Sequence, residues 1–218
     1  MPFVDTDWRN AVEFAAATYF GNIYLYSLKE AQSLRTYEAF SNFIYEISWD
    51  STGSFLSSYA ENNQYLKIFL PINSKCLYKL DHKSEVLCSK WYPLEKENDF
   101  IKNGLKLITG CNQGIIRIWS MENGTCIQSF ELIHQAGVHC ISIFSNGELM
   151  CSSSIDKKIC LFNLKNKKIL RYFSTTQIVN DISWSFDGHY FSAASGDNIL
   201  IVDVNKLLQD IINRGTID

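Results

Sequence analysis

No run of about 18 apolar residues, the least a membrane helix needs, occurs in these 218 residues. A membrane-crossing helix is therefore excluded. The opening Met1-Pro2-Phe3-Val4-Asp5 lacks the basic-then-apolar order of a secretory signal. A basic excess is missing too: 20 basic against 23 acidic residues leave a formal net charge of −3. That balance argues against a nucleic-acid binder, and no direct sequence-specific contact to nucleic acid is expected. The one dense basic run, Lys165 to Lys168, stands where a turn belongs and reads as a solvated hairpin. None of the seven cysteines forms a Cys-x-x-Cys pair, and most fall in predicted strands. Buried thiols in a reducing compartment explain them, so the nucleus or the cytoplasm is the expected location. Asn123-Gly124-Thr125, although it fits a glycosylation pattern, then reads as a plain Asn-Gly turn.

The usual catalytic signatures are absent as well. There is no Gly-Lys-Ser/Thr phosphate loop and no Gly-x-Ser-x-Gly elbow. His134, His139 and Cys140 do not repeat a metal-ligand spacing. Asp5, Asp7, Glu46 and Asp181 stand near predicted strand starts, where they read as rim charges or turn caps. No catalytic residue, metal site or cofactor is expected.

What the chain does have is one theme repeated five times. Its copies close with Ile23-Tyr24-Leu25-Tyr26, Leu66-Lys67-Ile68-Phe69, Ile116-Arg117-Ile118-Trp119, Ile159-Cys160-Leu161-Phe162 and Ile199-Leu200-Ile201-Val202. In each, the last residue and the one two before it are apolar, the period of a strand with one buried face. The closings are spaced by 43, 50, 43 and 40 residues. A second landmark precedes each: Trp8, Trp49, Trp91, Ile143 and Trp184. Between the two runs a strand of small residues, such as Ala15-Ala16-Ala17, Thr109-Gly110 and Ser152-Ser153-Ser154. Blades converging on a central channel would crowd such strands. Asn146-Gly147 and Asp187-Gly188 mark tight hairpins. A fourth strand is predicted over Leu34–Phe40, Cys76–Leu80, Cys126–Leu132 and Ile169–Phe173.

Four strands at a period near 40–45 residues predict an all-β fold, a β-propeller of WD40 type with about five four-stranded blades. The repeats are expected at 1–40, 41–81, 82–132, 133–174 and 175–205, the last lacking its outer strand, so the ring reads as incomplete or open. A short C-terminal helix is expected over 206–218, with Leu207, Leu208, Ile211 and Ile212 on one face and Gly215 as its cap. An insertion, Leu94 to Gly104, stretches the third repeat; its mixed charge reads as an exposed loop, with Phe100-Ile101 open to docking on the blade itself or on a partner. Only scraps remain of the hydrogen-bond network usual in such repeats: His82, His134, Asp156 and Trp119. The blades should therefore depend more on apolar packing, each lost bond being worth about 1 kcal/mol.

The order of irregularities resembles the C-terminal part of the transducin-β-like corepressor subunits, the Ebi group, and their fungal relatives in a histone deacetylase complex. The resemblance rests on Asp5-x-Asp7-Trp8-x-Asn10 with Phe14-Ala15, Trp49-Asp50-x-x-Gly53, and Trp91-Tyr92-Pro93 before the insertion. It continues through Ile118-Trp119-Ser120-Met121-Glu122-x-Gly124-x-Cys126 to the closing Val202-Asp203-Val204, and spans residues 5–208. It implies the last five of that family's eight blades, without its LisH-type dimerisation region and first three blades. It also implies a non-catalytic scaffold for transcriptional repression in the nucleus, with corepressor and histone deacetylase subunits, and histone tails, as partners. Other readings stay open: an adaptor in ubiquitin ligase, trafficking or RNA-processing machinery, or a truncated fragment without function. On any binding reading, contacts should lie on the rim formed by the loops before first strands and the turns between second and third strands. Tyr19, Phe20, Phe43, Asn63, His82, Gln113, Gln135, Asp156 and Asp197 are the candidates there, because aromatics with amides suit an extended peptide.

Overall fold

The structure is a computed structural model that describes residues 2–92, 104–131 and 133–213. Among the described residues, nineteen strands and one helix make up the elements. Sheet 1 contains β1 (Phe3–Trp8), β2 (Glu13–Thr18), β3 (Asn22–Ser27) and β4 (Arg35–Glu38). Sheet 2 contains β5 (Ile44–Trp49), β6 (Leu56–Ala60), β7 (Tyr65–Phe69) and β8 (Cys76–Asp81). Sheet 3 contains β9 (Val86–Trp91), β10 (Lys106–Cys111), β11 (Ile116–Ser120) and β12 (Cys126–Phe130). Sheet 4 contains β13 (Val138–Ile143), β14 (Leu149–Ser154), β15 (Lys158–Asn163) and β16 (Lys168–Ser174), and sheet 5 has β17 (Val179–Trp184), β18 (Tyr190–Ser195) and β19 (Asn198–Asp203). Each sheet is an antiparallel meander in chain order, and the fifth stops at three strands. The insertion, with its Phe100-Ile101 pair, and Gly215 lie outside the described residues apart from Gly104.

The first strands β1, β5, β9, β13 and β17 stand side by side, so they line the inside of the arc. Sheets 2, 3 and 4 each bury one face against the sheet before and the other against the sheet after, while sheets 1 and 5 have one such neighbour among the described residues. Ala15, Ala17, Ile23 and Leu25 of sheet 1 meet Ile47, Trp49, Leu56 and Phe69 of sheet 2. Leu149, Cys151, Ile159 and Leu161 of sheet 4 meet Ile182, Phe191, Ala193 and Val202 of sheet 5 in the same way. Among the described residues, no comparable packing joins sheet 5 to sheet 1. The arrangement is an open arc of propeller blades.

The small residues sit in second strands for a reason other than the one expected. A Cβ on Gly110 of β10 would lie 2.7 Å from Cys88 Sγ in β9 and from Val138 Cβ in sheet 4. The crowding at Gly110 thus comes from the first strand of its own sheet and from that of the following sheet. Hairpins at Asn146-Gly147 and Asp187-Gly188 form as predicted, with φ of 74° at Gly147 and 70° at Gly188. Helix α1 (Val204–Asn213) begins earlier than residue 206 because Asp203 caps it, its Oδ1 accepting the Lys206 N–H at 2.9 Å. Leu207 is buried, and Leu208 and Ile211 pack beside it on the core of sheets 4 and 5.

The acidic residues near strand starts also differ from expectation. Asp5 Oδ2 accepts the Ile47 N–H at 2.8 Å, and Asp7 Oδ2 accepts the Trp49 N–H at 2.6 Å. They link sheet 1 to sheet 2 rather than standing as rim charges. Glu46 accepts the Tyr59 hydroxyl at 2.7 Å. Burial raises the pKa of Asp5 and Glu46, against the donors that hold them.

Candidate functional site

The loops before first strands and the turns between second and third strands meet on one rim. On sheets 1 and 2 this rim carries a ladder of aromatic rings. Phe20 and Tyr19 stand 5.6 Å apart between centroids, Tyr19 and Phe43 5.3 Å, Phe43 and Tyr45 5.7 Å, and Tyr45 and Tyr59 6.1 Å. Tyr19, Phe20 and Tyr45 are exposed, Phe43 is half-buried and Tyr59 is buried. The ladder therefore runs from open solvent down to the core.

Local backbone chemistry sets these rings in place. Thr18 and Asn22 clasp the β2–β3 hairpin, the Thr18 hydroxyl donating to Asn22 O and accepting from Asn22 N. Gly21 closes that turn at φ 85°, and a Cβ there would fall 2.0 Å from Phe40 O. Only glycine permits this close approach, which brings Tyr19 against the loop holding Phe43. Register slips between Ile44 and Glu46, so Tyr45 sits in a bulge and turns toward the same rim.

Beside the ladder, a cleft of about 560 Å³ is lined by Asn62, Asn63, Gln64, Tyr65, Glu85 and Asn112, with Lys67, Lys79 and Ser84. Glu85 fixes its wall by accepting the Asn62 N–H at 2.7 Å. Glu61 lies against the ladder, its N–H donating to Phe43 O at 2.8 Å.

Of the nine candidates read from sequence, the structure brings Tyr19, Phe20 and Phe43 together and sets Asn63 in the adjoining cleft. Gln113, Gln135 and Asp197 are exposed on the turns and loops of sheets 3, 4 and 5, away from the ladder. His82 must be corrected: it is fully buried and offers nothing to a ligand. Its Nδ1–H donates to Leu80 O at 3.0 Å and its Nε2 accepts the Thr109 hydroxyl at 2.7 Å, while Trp119 Nε1 donates to the same Thr109 Oγ1 at 2.9 Å. Burial depresses the His82 pKa to about 4, so the ring is neutral.

Asp156 is also tied inward. Its Oδ2 accepts from His134 Nδ1 at 3.2 Å and from Gln135 N at 3.0 Å, and His134 Nε2 accepts the Ser152 hydroxyl at 2.8 Å. Burial outweighs the Asp156 charge and lowers the His134 pKa, so this contact is a hydrogen bond of a neutral ring at neutral pH. Sheet 3 thus keeps the His-Thr-Trp half of the repeat network and sheet 4 the Asp-His-Ser half. Tyr45 and Tyr59 escaped the sequence reading because they lie within predicted strands. Their neighbouring aromatic Phe43 was the one available signal.

Among the described residues, no three His, Cys, Asp or Glu side chains are grouped to hold a metal. All seven cysteines are free, with Cys76 and Cys126 exposed. Burial pushes the Cys140 thiol up to about 11, which makes it a poor nucleophile. The rim offers rings, amides and carboxylates, the materials of recognition.

Residues 124–163 and 167–202 match the family described as WD domain, G-beta repeat. The WD40 repeat-containing protein HOS15 of Arabidopsis thaliana is 27% identical over 202 residues, which is 92% of this chain and 33% of that protein. The WD repeat-containing protein SL1-17 of Schistosoma mansoni is 31% identical over 103 residues, covering 46% of this chain and 32% of that protein. The p21-activated protein kinase-interacting protein 1-like of Gallus gallus is 26% identical over 128 residues, covering 59% and 31%. The chain spans about a third of the length of these curated relatives. Two stretches of the chain thus match WD40 repeats, and its antiparallel sheets pack as the blades of an incomplete propeller of that type.

Proposed function

We propose that this chain binds extended partner peptides on the rim of sheets 1 to 3, as a scaffold in a nuclear histone deacetylase corepressor assembly. The observation that carries peptide binding is the exposed ladder Phe20–Tyr19–Phe43–Tyr45 beside an amide-lined cleft. Rings supply contact area at small entropic cost, and amides supply directional hydrogen bonds to a peptide backbone. The choice of assembly rests on the order of irregular motifs, from Asp5-x-Asp7-Trp8 through Val202-Asp203-Val204, that resembles the transducin-β-like corepressor subunits. The test is affinity purification of the endogenous protein, with mass spectrometry of its partners. Recovery of deacetylase and corepressor subunits is expected. Recovery of ubiquitin-ligase, trafficking or RNA-processing subunits instead would move the scaffold to another pathway, and recovery of chaperones alone would count against a working scaffold.

A further inference from the structure

Six aromatic rings of the described residues already carry a cation of this chain: Trp49, Phe40, Tyr65, Tyr92, Tyr172 and Phe173. The rim ladder does not. Tyr19, Phe20, Phe43 and Tyr45 form the longest run of neighbouring rings on the rim, and no Lys or Arg of the described chain lies over any of them. Carboxylates stand beside this row. Glu61 is joined to Phe43 through its backbone, and Glu85 faces Tyr45 from the loop before β9. Glu85 is fixed beside Glu61 by accepting the Asn62 N–H at 2.7 Å, and burial first, then the Glu85 and Glu61 charges, hold the Tyr45 phenol above its ordinary range. Three lysines around the adjoining cleft turn elsewhere: Lys83 pairs with Asp81, Lys67 donates to Ala39 O, and Lys79 lies 3.7 Å from the centre of the Tyr65 ring.

Ring faces are electronegative, and carboxylates at their edge add a full charge of the same sign. A cation with an apolar stem satisfies both, its stem on the rings and its head at Glu61 and Glu85. We infer that the ladder captures a lysine or arginine side chain of a partner peptide, with Tyr19 and Phe43 as the stacking pair and Glu61 and Glu85 as the charge partners. This rests on the peptide-binding reading above and names the residue class it selects. An acetylated lysine, neutral at its head, would bind more weakly, so the rim reads the charge state of the side chain.

The experiment uses the full 218-residue chain on peptide arrays with a fixed central residue and randomised flanks. Lysine, arginine, acetyl-lysine and glutamate are compared at the centre, and the strongest spots are remeasured in solution by fluorescence anisotropy. Lysine or arginine should bind roughly tenfold more tightly than acetyl-lysine, in the range that cation–π contacts allow. Y19A should weaken this binding about tenfold, and E61Q with E85Q about threefold at low salt. Both sites are on the surface, and matching thermal melts check that each variant is folded. Equal binding to lysine and acetyl-lysine arrays would overturn the cation assignment and leave peptide binding standing. Preference for glutamate would overturn it as well. Silence on every array would overturn both readings.

Discussion

The faces where blades meet and the two faces that end the arc use the same repeat positions, and their surroundings differ completely. Trp49 closes the first strand of sheet 2 and is 6% exposed against sheet 1, whereas Trp8, at the same place in sheet 1, is 55% exposed. Leu161 in the third strand of sheet 4 is 0% exposed beneath sheet 5, whereas Ile201, its counterpart in sheet 5, is 68% exposed. Phe3, Trp8, Phe14, Tyr24 and Tyr26 make one end face, and Tyr190, Ile199 and Ile201 lie on the other. Burial in a repeat fold is thus a property of the neighbour and not of the residue type. A polar detail repeats the lesson. Trp91 Nε1 donates to Ser48 O at 3.0 Å and Trp184 Nε1 to Ser142 O at 3.3 Å, each reaching back to the preceding sheet. Trp8 has no preceding sheet among the described residues.

The largest effect should come from breaking an inner face. W49A removes a buried ring from the seam of sheets 1 and 2, and should cost about 3–5 kcal/mol in a urea titration. W8A, at the equivalent place, should cost no more than about 1 kcal/mol, since it forfeits mainly a contact with Phe14. Equal losses would mean that Trp8 is covered in solution.

Acid should act on the inner blades next. The His82 pKa is about 4 in the folded chain, against about 6.5 when unfolded. As pH falls below about 6.5, the unfolded state takes up the proton first, so stability drops until the folded value is passed. The difference corresponds to about 3 kcal/mol, fully present at neutral pH and lost by about pH 4. His134, also depressed by burial, adds loss of the same sign from the same upper limit. Urea midpoints measured from pH 7 to 4 test this, and H82Q should flatten the profile over that interval.

The contrast between seam and end face explains what could be read from sequence. Strand closings such as Ile159-Cys160-Leu161-Phe162 and first-strand landmarks such as Trp91 were legible, because pairing and packing demand local periodicity. Which sheet each face meets was not, because Ile201 and Leu161 look identical in pattern. His82 looked like a loop residue before a first strand, and only the position of Thr109, 27 residues on, shows it to be part of the core. Asp5 and Asp7 likewise bond to amides 42 residues away. Of the rim, Tyr19, Phe20 and Phe43 were legible as aromatics in loops. Tyr45 was hidden by a bulge that no local pattern announces.

T109V should cost about 2 kcal/mol, because His82 Nε2 and the Trp119 N–H lose their shared oxygen inside the core. Valine keeps the shape, so the loss reads the hydrogen bonds alone. It should fall below the cost of W49A, since packing in these degenerate repeats outweighs what remains of their polar network.

The smallest effect should come from the outer end face. I201S removes an exposed side chain from β19 and should change stability by no more than about 0.5 kcal/mol. L161S, the same change one blade earlier, opens a cavity and buries a hydroxyl between sheets 4 and 5, at a cost of several kcal/mol. The pair removes an aliphatic side chain of the same size at the same strand position, so the neighbour is the main variable. A measurable loss from I201S would show that β19 also has a covering surface in solution, and the distinction between seam and end would have to be redrawn there.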